Sequence, residues 1–562
     1  MTASSLNEAV FLSAPRPLRL PLSVAWAVAV ATATVLTQPA PPRFRNVQPD
    51  SGVAFVLEHA PTPDKRLIET MPGGLAAFDY DDDGRVDLFF ANGNATPDLA
   101  KADTRFHNRL YRNLGGMKFE DVTDRAGLAG RGFAMGAAAG DYDNDGHVDL
   151  FVPGVGQPTL YRNTGQGRFE DVTTRAGIAS SPWSVAAAWV DVDRDGRLDL
   201  FVVNYLDWLP QANRFCGDRV RDLRVYCHPK YFAGLPNQLY RNKGDGTFED
   251  VSKASGIAAH VGKGMSVAVA DFDADGRDDL FVTNDGVPNF LFHNVDGRRF
   301  EETGLLAGVA LPGFGRPISS MGAAVHDVTG DGRPDLLVTA LKGETFPLYV
   351  NDGGMTFHDG THQARLAAPS SQRSGWGLAL ADLDNDGRVD IATANAHVND
   401  LIDRFEASTY KEANAILLNR GTTFEDVTAL SGPELSAATA AHRGLLAVDL
   451  DDDGRLDLVT TSLGGPVEIW RNEGPAGHWL RVRLRGRASN RDGLGAIVTV
   501  GGRRHAMTSA SGYASSTLRG VHVGLGDAAA PPGIEVTWPS GRTQVVQAPG
   551  VDQVVEVTEP GA

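Results

Sequence analysis

The sequence predicts an all-β fold: a propeller ring of seven four-stranded blades followed by a small β-rich domain. Three observations carry this. A nine-residue loop of the form Asp-x-Asp-x-Asp-Gly-x-x-Asp occurs seven times, with one substitution at Thr329. Each copy runs into a short β-branched or apolar stretch, as at 198–203. A second repeat, Leu-Tyr-Arg-Asn followed by Phe-Glu-Asp-Val-Thr, accompanies it at 110–123 and 160–173, ends in Ser252 at 239–252, and returns in weaker copies from Leu291, Leu348 and Leu417. From His478 the acidic pattern stops and simple alternation begins.

The loop spacing points to a hard divalent cation. Ca²⁺ takes six to eight oxygen ligands in a flexible shell, and carboxylates at positions 1, 3, 5 and 9 converge if the backbone curls around the ion. Gly at position 6 permits the curl, and the carbonyl of position 7 is a further ligand. The candidate ligands are Asp79, Asp81, Asp83, Arg85 and Asp87, then Asp141, Asp143, Asp145, His147 and Asp149. Next come Asp191, Asp193, Asp195, Arg197 and Asp199, then Asp271, Asp273, Asp275, Arg277 and Asp279. The last three loops offer Asp327, Thr329, Asp331, Arg333 and Asp335; Asp382, Asp384, Asp386, Arg388 and Asp390; and Asp449, Asp451, Asp453, Arg455 and Asp457. Up to seven structural Ca²⁺ ions are expected. A plain acidic turn would not need Asp at four fixed offsets.

An EF-hand is excluded, because it needs Glu at position 12 between two helices. Position 12 here is Phe90, Val152, Val202, Val282, Val338, Thr393 and Thr460. The loops, with small-residue runs such as 136–140 and 322–325 before them, resemble FG-GAP or VCBS-type repeats. The resemblance implies an integrin-α-like propeller over residues 43–475.

Each second-repeat copy reads as two strands around an Asn-Gly-type turn, an outer hairpin. A loop hairpin plus an outer hairpin makes one four-stranded blade. The seventh unit ends at Asn472 without its Phe-Glu-Asp-Val-Thr half, and a segment in phase with it stands at 44–53. The N-terminal segment is therefore expected to close the seventh blade and remove the open edge. Eighty residues separate Asp191 from Asp271, which places an insertion at about 205–236. It carries Trp208, several arginines and both cysteines, and reads either as a functional loop or as a pinned surface loop. Two other stretches depart from the repeat: Glu69–Gly74, and Asn395–Asp400 around His397, which is either a ligand or acid–base group or a hydrogen-bonded turn residue.

The net charge of −18 lies mostly in the loops, and seven divalent ions would bring it to roughly −4. This balance argues against a general nucleic-acid surface. Arg16 and Arg19 precede an uncharged apolar run over 20–36, the layout of a signal peptide over 1–40 or, alternatively, an uncleaved anchor. An exported protein is expected: periplasmic, cell-surface or secreted, touching membrane only through that anchor. Export favours a Cys216–Cys227 disulfide over two free thiols.

In the C-terminal part, Leu480, Val482 and Leu484 face one side and the intervening arginines the other. The nine arginines from 478 onward could dock onto the acidic ring, hold an anion or simply be solvated. With 490–496, 511–513, 524–527 and 538–541, this part resembles an ASPIC/UnbV domain over 478–560. Together with the ring it is similar to the cartilage acidic protein 1-like family, which implies an exported, calcium-associated protein. The function expected is non-enzymatic: a calcium-stiffened propeller binding an unidentified protein or carbohydrate partner, with no nucleic acid expected. The alternative is an enzyme with its site at the ring axis or under the 205–236 insertion. No Gly-x-Ser-x-Gly or His-Glu-x-x-His signature is present.

Overall fold

The computed structural model describes residues 40–561 except Pro210, Ala212, Asn213 and Pro531. The leader or anchor expected over 1–40 lies almost wholly outside the described residues. Among them, no helix is long and apolar enough to cross a membrane.

Seven antiparallel four-stranded units follow one another. The first is built from Leu75–Phe78, Asp87–Phe90, Arg109–Gly115 and Lys118–Asp121. Each acidic loop joins the innermost strand of its unit to the second strand. The second strands read as unbroken apolar runs because neighbouring units cover both their faces; Asp199–Asn204 is buried throughout. The innermost strands neighbour each other in chain order, and that of the seventh unit, His442–Val448, lies against that of the first. The units therefore form a closed ring, a β-propeller.

The seventh unit is completed as expected. Phe44–Asn46 pairs antiparallel with Glu468–Asn472, Phe44 opposite Asn472. Phe44 in this strand and Val47, Val53 and Phe55 after it are buried.

A second device ties the blades together. The side-chain amide of the Asn that ends each third-strand repeat donates back to the position-2 carbonyl of a preceding acidic loop. Asn163 reaches Tyr80 at 2.9 Å and Asn242 reaches Tyr142 at 2.8 Å. Asn294, Asn351, Asn419 and Asn472 do the same to Val192, Phe272, Val328 and Leu383. Asn113 closes the circle on Leu450 at 2.8 Å.

After the ring come two sheets. One orders Val521–Gly526, His478–Arg485 and Gln553–Thr558; the other orders Arg503–Ala506, Ile497–Val500, Gly533–Thr537 and Thr543–Gln547. This domain sits on the acidic-loop face of the ring. Arg519 and Arg483 donate to the Gly84 carbonyl at 2.8 Å, Arg481 to Asp452 at 2.7 Å, and Asp492 accepts from the Asp141 amide at 2.8 Å. Arg481 is buried, so of the readings open for the arginines the solvated face fails there and docking onto the ring is what is found.

The same domain sends a hairpin, Ala510–Ser511 and Ser515–Leu518, into the ring. Ser516–Leu518 pairs in parallel with Ala76–Phe78 of the first blade. At its tip the Ala514 carbonyl accepts from the Ala137 amide, the Gly512 carbonyl accepts from the Ser266 hydroxyl, and the Tyr513 hydroxyl donates to the Met71 carbonyl at 2.7 Å. A Cβ at Gly512, whose φ is +52°, would lie 2.2 Å from the Leu378 carbonyl, so only glycine fits. Tyr513 is fully buried edge-on against Trp376. The ring axis is thus filled from the acidic-loop side.

Candidate metal centre

The seven loops share one geometry. Position 1 caps the loop: Asp79 accepts from the amides of Asp83 at 3.1 Å and Gly84 at 2.8 Å, and the Asp at 141, 191, 271, 327, 382 and 449 repeats this. Position 9 is buried and ties the loop to the outer hairpin. Asp87 accepts from the amides of Tyr80 at 2.9 Å and Asn113 at 2.7 Å, and Asp149, Asp199, Asp279, Asp335, Asp390 and Asp457 make the equivalent pair. Gly at position 6 has φ between +81° and +97° in every loop, as the curl requires.

Position 3 is different. Asp81, Asp193 and Asp451 each bury Oδ1, and Asp384 buries Oδ2, with no hydrogen-bond partner among the described residues. A buried carboxylate oxygen without a partner is costly unless an ion or water completes it. In the first three loops positions 1, 3 and 9 bring oxygens within 4.8 Å of one another: Asp79 with Asp81 and Asp87, Asp141 with Asp143 and Asp149, Asp191 with Asp193 and Asp199. That separation suits an oxygen shell with ligands at about 2.3–2.6 Å from a Ca²⁺ ion. The donor set therefore fits the ion the spacing predicts.

Burial, with like-charged neighbours adding to it, pushes Asp87 and Asp141 up to about 8 and Asp191 up to about 7. A bound divalent cation inverts this balance, because it favours the ionised form.

Position 5 makes protein contacts, and in the fourth loop Asp275 also brings a carboxylate oxygen within 4.8 Å of Asp271 and Asp273. Asp83 accepts from the Arg85 amide at 3.0 Å and pairs with the Arg85 guanidinium, and the arginines at 197, 277, 333, 388 and 455 pair likewise with their own position-5 Asp. His147 instead meets Asp82 of the neighbouring loop at 2.6 Å. The third-strand arginines also lean in: Arg112 lies 2.6 Å from Asp81, and Arg162 lies 2.5 Å from Asp143.

In the fourth loop His293 lies at the corresponding place, 3.2 Å from Asp279, and Asp273, Asp279 and His293 form a possible ligand group. Sequence reasoning missed His293; its signal was the change from Tyr-Arg-Asn to Phe-His-Asn at 292–294. It also missed the left-handed position 4, which carries Asp82, Asn144, Arg194, Ala274, Gly330, Asn385 and Asp452 at φ between +55° and +78°. Cys216 and Cys227 form a disulfide.

Comparison with known proteins fits this architecture. An FG-GAP-like repeat pattern matches residues 79–152, 151–202, 225–282, 271–338 and 327–393, more than half of the chain, and the ASPIC and UnbV pattern matches 486–562. The protein belongs to the FG-GAP-like repeat family and carries an ASPIC/UnbV domain. It is similar to Cartilage acidic protein 1 of Mus musculus and of Homo sapiens, each 28% identical over 329 residues, 55% of this chain. Those stretches are 47% and 46% of the relatives, so the chain spans about half the length of the curated relatives it matches. Among solved structures, an N-acetylglucosamine-recognising protein from Agrocybe aegerita aligns with a TM-score of 0.38 at 16% identity, over 71% of this chain and 90% of its own. A likeness of that size carries no weight; the fold rests on the strand pairing above.

Proposed function

We propose that this chain is an exported calcium-binding β-propeller that acts as an interaction module, with Ca²⁺ holding the loop hairpins and an exposed face free for a protein or carbohydrate partner. The observation that carries the metal reading is the buried, unpartnered position-3 carboxylate oxygen in four loops, beside carboxylates already fixed by backbone amides. The ion is structural: it joins the innermost strand of a blade to the second. The Cys216–Cys227 disulfide supports an oxidising compartment. The inward-turned arginines at 481, 483 and 519 support the absence of a nucleic-acid surface. Similarity to Cartilage acidic protein 1 supports an extracellular interaction role.

Elemental analysis and calorimetry on purified protein provide the test. Several Ca²⁺ per chain are expected, and none or one sinks the reading. The loop with Thr329 should be the weakest, since it lacks one carboxylate.

A further inference from the structure

Three departures from the repeat converge on one cavity at the ring axis, where the innermost strands begin, on the face away from the acidic loops. Leu67 and Met71 enter it from the segment before the first blade. Tyr205, Tyr226 and His228 enter from the insertion, and His397 and Asn399 from the sixth blade. Nothing in the calcium reading uses any of them. The cavity measures about 230 Å³, above the roughly 150 Å³ of an apolar cavity that takes up benzene.

Its walls are apolar where the ring forms them. Met71, Met265, Met321 and Trp376 line it and are almost wholly buried. Thioether and indole surfaces suit a flat apolar guest.

The polar groups are few and their protons can be placed. The Lys230 amide donates to His228 Nδ1 at 3.1 Å, and the Asn399 amide donates to His397 Nδ1 at 3.0 Å. A backbone amide can only donate, so each Nδ1 is unprotonated and each neutral ring carries its proton on Nε2. Desolvation lowers both imidazoles, His397 buried and His228 at the exposed rim of the cavity, which keeps them neutral at pH 7. Neither Nε2 has a partner among the described residues. The one acid on the wall, Asp285, is desolvated and accepts from the Tyr205 hydroxyl at 2.7 Å. Burial raises the Asp285 carboxyl and so disfavours its ionised form, the rest of the wall is uncharged, and a charged guest would lose its hydration there.

We propose that this axial cavity is a binding site for an uncharged, largely apolar small molecule about the size of a substituted aromatic ring, its carbonyl or hydroxyl oxygen accepting from His228 and His397. The Cys216–Cys227 loop forms one wall of the site, which gives that insertion a role the propeller itself does not require.

Calorimetric titration of the full chain in Ca²⁺ tests this with three probes: 4-hydroxyacetophenone, benzoate and benzylamine. Saturable one-site binding is expected for the first, with the two charged probes at least about tenfold weaker. His228→Ala and His397→Ala should each weaken it about tenfold, the loss of one hydrogen bond of about 1.4 kcal/mol. Because each of these rings also braces its own turn, Met321→Phe provides a further variant that fills the cavity and leaves both turns alone; it should abolish binding without lowering the melting temperature. Absence of saturable binding by 4-hydroxyacetophenone at millimolar concentration overturns the proposal. So does equal binding of either charged probe, or binding that survives Met321→Phe unchanged.

Discussion

Asp193 and Asp199 stand in the same loop and have different roles. Asp199 spends both oxygens on backbone amides, Val192 at 3.1 Å and Asn242 at 2.8 Å, whereas Asp193 buries an oxygen with no partner. Asp199→Ala should therefore lower stability with or without Ca²⁺, by about 2–3 kcal/mol for the stranded amides, and the melting temperature with it. Asp193→Asn should remove the stabilisation that added Ca²⁺ provides through that site and should not lower the melt in chelator, where Asp193 only adds like charge beside Asp191 and Asp199. Thermal melts of both variants in Ca²⁺ and in EDTA check this; equal losses for the two in EDTA would erase the distinction. The spacing of the loops made the ligand positions legible, because an ion shell fixes sequence offsets. The division of labour among the carboxylates was not legible. The partners of position 9 and of the cross-blade Asn amides are backbone groups up to 337 residues away, as for Asn113 and Leu450, and no local pattern encodes them.

At the scale of elements, the N-terminal strand was readable because the seventh unit visibly lacked half of its repeat. Deleting 43–56 should lower thermal stability sharply. It removes the edge strand from Glu468–Asn472 and the buried side chains Phe44, Val47, Val53 and Phe55, each contributing about 1.5–3 kcal/mol. A differential scanning calorimetry trace unchanged by the deletion would show that the ring does not depend on this closure. The hairpin at 510–518 was not readable. Ser511, Gly512 and Tyr513 look like any turn, and their fit depends on the packing of the ring, where Gly512 meets Leu378 and Tyr513 meets Trp376. The insertion at 205–236 and the His397 stretch stood out as breaks in the repeat, yet only the closed ring brings them together at the axis.

Over the whole molecule, acidity is concentrated in loops that one domain covers with arginines and that metal is proposed to neutralise. Without metal, burial pushes Asp87, Asp141 and Asp279 up to about 8, above their unfolded value near 4. The folded metal-free chain then binds more protons than the unfolded one, so its stability falls as pH rises from about 4 to about 8. With Ca²⁺ the slope reverses, because protons compete with the ion for the carboxylates. Melts at pH 5.5 and 7.5 should therefore rank in opposite order in EDTA and in Ca²⁺.

An ion that binds only the native state adds about 2.7 kcal/mol per site at a hundredfold excess over Kd. The most direct measurement is the melting temperature at neutral pH before chelation, after EDTA with metal content verified as removed, and after Ca²⁺ is restored. A large fall on stripping and full recovery on restoring Ca²⁺ is the predicted result; a stripped protein that melts where the loaded one does would contradict the structural role of the seven loops.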